Sequence, residues 1–402
     1  MALRGNQRTA RALNRRLVLD ELRRNGPISR TAIAEAVGLS PAAVTLVTAE
    51  LIEQGLLVAG EALSGSTGRR PVPLDIKYSA KCSIGLKVSV DRVEGVITDL
   101  ATRVIADFEL PFSGTSPEIV VAVSAKVADR LLKRAGVDRR SLIGIGLVIS
   151  GQVDAEAGVC RQMQRFGWRD VPMAAMLADI VAVPVWIEND ANAFAVSQHL
   201  FGLGRGARSM VAVAVGRGVG AGLIIDGRLH RGAGGAAGEF GHSFEERGRT
   251  CECGRDGCLE AYCADSGLLL SWQMLEPSAG ARGIEDLREA ADTGSPSARR
   301  VLRESGTRLG HHVAGLVNIV DPELIVFGGE GVRFWDHLLY GLRPALDEAS
   351  YAGAPRIAVD DGGTGWPQGA AALAVNHFFN FEATGGYTPN RKKRPVLDRA
   401  AA

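Results

Sequence analysis

The chain has 402 residues, enough for two or three domains that each carry a core of their own. Its 46 % apolar and 23 % charged content excludes disordered and fibrous classes, and no apolar run approaches the roughly 20 residues a membrane helix needs. Net charge is only +1, yet residues 1–30 hold eight arginines against Asp20 and Glu21, a local charge of +6. This basic start lacks the apolar stretch of a signal peptide, so a reducing, cytoplasmic setting is expected.

Residues 1–13 are basic and polar, a mobile arm or the leading turn of a helix. Leu17, Val18 and Leu22 then repeat at helical spacing from Asn14 to Asn25, and Gly26-Pro27 stops the pattern. Ser29 caps a second helix through Val37, with Ile33 and Val37 on one face. After the tight turn at Gly38-Leu39, Ser40 caps a third helix. Pro41 takes its first position, where the missing N–H costs nothing. Val44, Val47 and Leu51 form its buried stripe and Gly55 ends it. Helix, tight turn and capped helix make a helix-turn-helix, and Leu56–Val58 with Val72–Ile76 supply the strands of a wing. With a basic arm beside it, the unit is expected to bind DNA.

The expected DNA-facing residues are Ser40, Ala42, Ala43, Thr45 and Thr48 on the third helix. None is an Arg, Asn or Gln able to read a base edge bidentately, so discrimination rests on thymine methyls and phosphates. Arg69 and Arg70, in a loop, are placed to enter a narrow A·T-rich minor groove; plain solvation of both is the alternative.

From residue 82 the pattern changes. Residues 82–110 alternate like a β-hairpin, Glu118–Arg134 reads as a helix, and Leu142–Ile149 as a buried strand. Ser150–Asp154 is a turn, and Trp168 belongs to a core or a pocket wall. Val183–Ile187 is a strand leading into Glu188-Asn189-Asp190-Ala191-Asn192. Polar residues at the carboxyl end of a buried strand lie where α/β folds bind ligands, although an Asx cap for the next helix uses the same residues. Met210–Val215 is a strand followed by Gly216-Arg217-Gly218-Val219-Gly220, which serves a hairpin turn as readily as a nucleotide. Ser297–Ile319 is a long helix, Leu324–Phe327 a strand, and Gly363–Val375 a small-residue helix. The alternation argues for an α/β architecture.

The most informative stretch is Glu239–Glu260, EFGHSFEERGRTCECGRDGCLE. His242, Cys251, Cys253 and Cys258 make a one-imidazole, three-thiolate set suited to a closed tetrahedral Zn²⁺ site, one per chain, of the structural kind. A disulfide or unconnected cysteines would use the same residues, but a chain without a secretory signal favours metal. Cys82, Cys160 and Cys263 fall outside the set.

The EFGH…CxCGxxGCLE pattern resembles the ROK family, which groups sugar kinases with sugar-responsive transcriptional repressors. The resemblance covers about residues 14–380, and Gly68–Pro71 is similar to the linker of ROK repressors. It implies that His242 holds zinc through one ring nitrogen and faces a sugar with the other. It also implies that Glu239 and Glu260 bond sugar hydroxyls, and that Gly151 and Gln152 lie in the first sugar loop. Asn189 would hold the sugar. Asp190, the general base of the kinases, is assigned here to sugar binding. Gln164 stands where many relatives carry Asn.

The kinases' Asp-x-Gly-x-Thr phosphate loop falls on Lys87, Ser89 and Asp91, so none of its defining residues is present, and Arg217 stands where ATP-using relatives carry Thr. Phosphoryl transfer needs that loop's small residues and carboxylate, so no catalytic residue is expected.

The expected architecture is therefore α/β: an N-terminal winged helix-turn-helix followed by a two-lobed, actin-like ROK (sugar kinase) domain. Residues 1–67 would form the DNA-binding domain with its basic arm, 68–81 the wing and linker, and 82–380 the ROK domain. Its lobes would be about 82–190 plus 366–380, and 191–365; residues 381–402 would be a basic flexible tail. The expected function is repression of carbohydrate genes under control of a sugar or sugar derivative. A sugar kinase with an appended DNA-binding domain is the alternative, and an activator fits the same residues. The partners would be a pseudo-palindromic operator with A/T-rich flanks, the sugar, and a second copy of the chain in a dimer or tetramer, with no membrane. A sugar bridging both lobes would favour a closed cleft and change the spacing of the DNA-binding units.

Overall fold

The computed structural model describes residues 7–61, 72–277, 283–361 and 365–379. The first helix, Gln7–Asn25, starts earlier than the periodicity indicates. The reason lies in its arginines: Arg11 reaches Glu50 at 3.0 Å and Arg15 reaches Gln54 at 2.7 Å, tying the basic segment to the end of the third helix. Arg30–Val37 and Pro41–Glu53 follow, capped by the hydroxyls of Ser29 and Ser40. Leu57–Ala59 pairs antiparallel with Pro73–Ile76, which also takes Ile28–Ser29, completing a winged unit. Val18, Leu22, Ile33, Val44, Leu51 and Leu74 form its core.

Two five-stranded sheets follow. In the first, Val185–Asn189, Leu142–Ile149, Cys82–Val88, Arg92–Asp99 and Val104–Pro111 lie in that order. The last of these is a third antiparallel strand beyond the expected hairpin. In the second, Arg228–His230, Val219–Ile225, Met210–Val215, Leu324–Gly328 and Arg356–Val359 are neighbours in that order. The glycine-rich Gly216–Gly218 segment is the hairpin turn between Met210–Val215 and Val219–Ile225, closed by Gly216 N–H to Gly218 O at 3.0 Å.

The helix Trp366–Phe379 lies so tightly on the first sheet that side chains beneath it are excluded. Gly85 and Gly146 are register partners on adjacent strands. A Cβ on either would come within 1.8 Å of a helix carbonyl, Pro367 O or Ala370 O. The small residues of GAAALAV serve the same close approach. Beside this helix lies Asp190–Phe201, buried from Ala191 to Leu200 and packed between Trp366–Phe379 and the second sheet. Among the described residues no single helix is long and apolar enough to cross a membrane.

Candidate functional site

The carboxyl end of Val185–Asn189 delivers the first group of site residues. Asn189 caps Asp190–Phe201: its Oδ1 accepts from Ala191 N at 2.9 Å while its Nδ2 donates to Gly151 O at 3.1 Å. The cap is thus Asn189, one or three residues before the Asp190 or Asn192 expected from the sequence. Asp190 is half-buried. Its Oδ2 lies 2.5 Å from Lys87 Nζ and accepts from Ser150 Oγ at 2.7 Å. Lys87 also donates to Ser150 Oγ at 2.8 Å and is almost fully buried. Burial alone would raise the Asp190 carboxyl; the charge and hydrogen bond of Lys87, with bonds from Ser150 and Ala191, outweigh it and hold the group below the usual range. The pairing was hidden in the sequence, since 103 positions separate the partners.

Lys87 stands 5.6 Å from the ring centroid of Trp366, whose indole N–H donates to Glu330 Oε1 at 3.0 Å. The other two substituted loop positions turn to their own hairpin, Ser89 to Glu94 at 2.9 Å and Asp91 to Arg92 at 3.1 Å. Behind the strand end, buried Glu188 accepts from Arg231 Nε at 2.7 Å and from Asn192 Nδ2 at 3.2 Å. Arg231 follows the second sheet, so this ion pair joins the two lobes. No sequence pattern marked it.

The second group lies on the Phe240–Cys258 loop. Cys251 Sγ is 3.7 Å from His242 Nδ1 and Cys253 Sγ is 3.6 Å from Cys258 Sγ, and all four ligand atoms lie within 4.8 Å of one another. A tetrahedral zinc with Zn–S near 2.3 Å has edges of about 3.8 Å, so the residues fit that ion. His242 turns Nδ1 to the sulfurs and leaves Nε2 3.6 Å from Glu239 Oε2. Burial raises the Glu239 carboxyl, His242 opposes the shift, and the carboxylates of Asp190 and Glu260 reinforce it. Glu260 is anchored by accepting from Val219 N at 2.9 Å. Tyr262, at the loop's end, is sandwiched between Arg249 and Arg308, 4.4 and 4.6 Å from its ring. Of the remaining cysteines, Cys82, Cys160 and Cys263 are buried elsewhere, with thiols pushed up by burial to about 11, 11 and 12.

Three expected sugar ligands have other partners in this arrangement. Gln152 Nε2 donates to Gly234 O at 2.8 Å, and Gln164 Nε2 to Cys253 O at 3.2 Å. Gly151 gives its carbonyl to Asn189. Gln164, with its neighbour Arg165 paired to Glu252, spans from the first sheet's side to the cysteine loop.

On the third helix Ala42 and Thr45 are exposed and Ala43 half-buried, while Ser40 spends its hydroxyl oxygen on Ala43 N at 3.2 Å. Thr48 is a correction. It is fully buried, accepts from Arg30 Nε at 2.9 Å and donates to Thr45 O at 3.2 Å, so it fixes the helix and cannot meet a base. The outer face presents Leu46 instead, 53 % exposed. Arg69 and Arg70 lie outside the described residues.

The family comparisons agree with this geometry. The ROK family matches residues 83–373, and a winged helix-turn-helix DNA-binding family matches residues 11–58. The chain belongs to the ROK family. The xylose repressor of Bacillus spizizenii is 30 % identical over 347 residues, covering 86 % of this chain and 89 % of the repressor. The DNA-binding transcriptional dual regulator NagC of Escherichia coli is 28 % identical over 335 residues, covering 81 % of this chain and 82 % of NagC. Among solved ROK structures, a transcriptional regulator described as a homolog of the E. coli MLC protein superposes with a TM-score of 0.80 at 24 % identity, over 92 % of this chain and 97 % of that one. A ROK glucokinase from Streptomyces griseus, in complex with glucose and AMPPNP, has a TM-score of 0.65 at 26 % identity, over 73 % of this chain and 98 % of its own. The glucokinase aligns with a smaller share of this chain than the regulator does.

Proposed function

We propose that the protein is a transcriptional repressor whose operator binding is controlled by a sugar, with no phosphoryl transfer of its own. The observation that carries this is the Lys87–Asp190 ion pair, in a chain that also bears a winged helix-turn-helix. A general base must take a proton from the sugar hydroxyl, and a carboxylate already holding an ammonium and a hydroxyl is a poor base. By the resemblance to the kinases, Lys87 also stands at the sequence position of the phosphate loop's Asp. Trp366 and Glu330 crowd the same floor. Asp190 is left with the capacity to accept one more hydroxyl, which suits binding.

The sugar would lie between Asn189 and Asp190 on one side and Glu239, His242 and Glu260 on the other, with Gly151, Gln152 and Gln164 around it. Zinc would be held by His242, Cys251, Cys253 and Cys258 in a purely structural role. It would fix the imidazole so that Nε2 faces the sugar. Ala42, Ala43 and Thr45 would meet the major groove, and Arg69 and Arg70 the A·T-rich minor groove, of a site bound by a dimer. The domain limits given by the sequence are retained as part of this proposal.

Fluorescence anisotropy on a duplex selected from a random library by the protein itself tests the reading. Affinity is measured without sugar and with saturating D-xylose or N-acetylglucosamine, sugars suggested by the relatives' names. One sugar should weaken DNA binding by about 5–150-fold. Unchanged affinity with a sugar shown by calorimetry to be bound would refute sugar control.

A further inference from the structure

The same helix that begins in the candidate sugar cleft ends under the DNA-binding domain. Asp190–Phe201 has 12 residues and is about 18 Å long at ~1.5 Å per residue. At its first turn are Asn189 and Asp190. At its last, Leu200 O accepts from Arg23 Nη1 at 2.5 Å, and Arg23 belongs to the first helix of the winged unit.

The contact is reciprocal. Arg205, just beyond the helix, donates through Nη2 to Arg23 O at 2.5 Å and Arg24 O at 2.9 Å. These carbonyls belong to the final turns of their helices, where no intrahelical N–H remains to bond them. Two negative helix ends therefore abut, and each is compensated by an arginine supplied from the other side. Arg23 is 3 % exposed and its charge is balanced by Asp20 at 2.6 Å, so the junction depends on register.

Between these ends the helix has no freedom to bend alone, because Ala191 to Leu200 are all buried in close packing. There is room at the far end. A cavity of about 30 Å³ opens there among Arg16, Asp20, Arg24, His199 and Leu229. The buried Nδ1 of His199 has no hydrogen-bond partner. A rigid helix with room beside one end is the kind of element that a two-position switch needs.

We propose that Asp190–Phe201 carries effector occupancy to the DNA-binding domain, with Arg23 and Arg205 as the positioning residues at its far end. The proposal rests on the sugar-controlled reading above and names its route. A ligand that pulls on Asn189 and Asp190 shifts the helix along its axis. Leu200 O and Arg205 move with it and re-aim the winged unit.

Arg205 is exposed, so Arg205→Met is compatible with folding. The test measures D-xylose binding by calorimetry, and DNA affinity with and without D-xylose, in wild type, Arg205→Met and Arg205→Lys. Arg205→Met should bind D-xylose within about twofold of wild type yet lose most of the DNA response, from about tenfold or more to under about threefold. Arg205→Lys should restore part of it. A full response in Arg205→Met overturns the proposal.

If wild type shows no D-xylose effect, that failure belongs to the sugar reading, and hydrogen exchange tests the helix separately. Asn189→Ala uncaps the near end and should speed exchange at the amides of residues 23–26 and 202–205. Val317→Ala, a core change in a distant helix, should leave them alone. Equal protection in Asn189→Ala and wild type overturns the route without reference to any sugar.

Discussion

The two sides of the cleft are built in opposite ways. On the Lys87 side the protein fills the space with its own groups: Lys87 pairs with Asp190, lies against Trp366, and Trp366 bonds Glu330. On the metal-loop side Glu239, Glu260 and the free face of His242 are fixed in place by Val219 N–H and the cysteine cluster, yet converge without neutralising one another. Like charges held together need a reason outside the fold, since each raises the energy of the others. In the proposed reading, a polyol that donates hydroxyls to Glu239 and Glu260 and accepts from His242 Nε2 supplies it. In that reading, one half of the cleft is retained for binding while the other becomes structure.

The largest expected effect comes from breaking the scaffold of the open side. Cys251→Ser, or removal of metal by a chelator, should cost about 5 kcal/mol of local stability. That is less than the roughly 10–16 kcal/mol zinc gives small zinc-dependent folds. The Arg249–Tyr262–Arg308 sandwich already holds part of the loop, which accounts for the difference. Thermal melting and metal analysis check both; about one zinc per chain is expected, and metal-free protein of unchanged stability would remove the brace from the account.

Next is Lys87→Met on the filled side. A buried carboxylate left without its cation costs about 3 kcal/mol, the low end for a broken buried pair because Asp190 is 20 % exposed. Denaturant unfolding measures it. Kinase activity should not appear, since Ser89 and Asp91 remain committed to Glu94 and Arg92.

Behind the filled side, burial and then the Arg231 charge push His377 down to about 4 from an ordinary 6.5; the ring stacks 4.8 Å from Trp186. The unfolded chain therefore takes up a proton that the folded chain refuses between those values. Stability falls as pH drops from about 6.5 towards 4, by up to about 1.4 kcal/mol per pH unit for this group. His377→Phe should flatten that part of the profile. His199 is held down in the same way, by burial and then Arg23 and Arg24, so the single variant should flatten it only in part.

The smallest effect on stability belongs to Glu239→Ala. A carboxylate 38 % exposed among like charges should change stability by under about 0.5 kcal/mol. The same change should weaken sugar binding at least about tenfold, since a hydrogen bond to a charged group is lost. A stability cost at Lys87 and a loss of sugar binding with little stability cost at Glu239 is the pattern the comparison requires.

Local chemistry made much of this legible in advance. Ser29 and Ser40 announce their helices by capping, Leu142–Ile149 by its apolar run, and the His/Cys cluster by the spacing of its cysteines, whereas the cap expected at Asp190 or Asn192 falls on Asn189. What escaped depends on contacts far apart in the chain. Thr48 sits at helical spacing with Thr45, and only the reach of Arg30 shows that it faces inward. Arg231 meets Glu188, and Arg165 meets Glu252, across the lobes without any pattern that pairs them. The first helix runs back to Gln7 because of partners near residue 50, which no window on residues 1–13 contains.

The central claim is that the sugar half of the cleft binds and the phosphate half does not. Calorimetry on one zinc-loaded preparation tests it most directly, titrating a panel of monosaccharides that includes D-xylose and N-acetylglucosamine, and then Mg²⁺-ATP in the presence of the sugar that binds. The account predicts saturable heat from a sugar, lost in Glu239→Ala, and none from Mg²⁺-ATP. Saturable Mg²⁺-ATP binding accompanied by sugar phosphate, both abolished by Asp190→Ala, would contradict it.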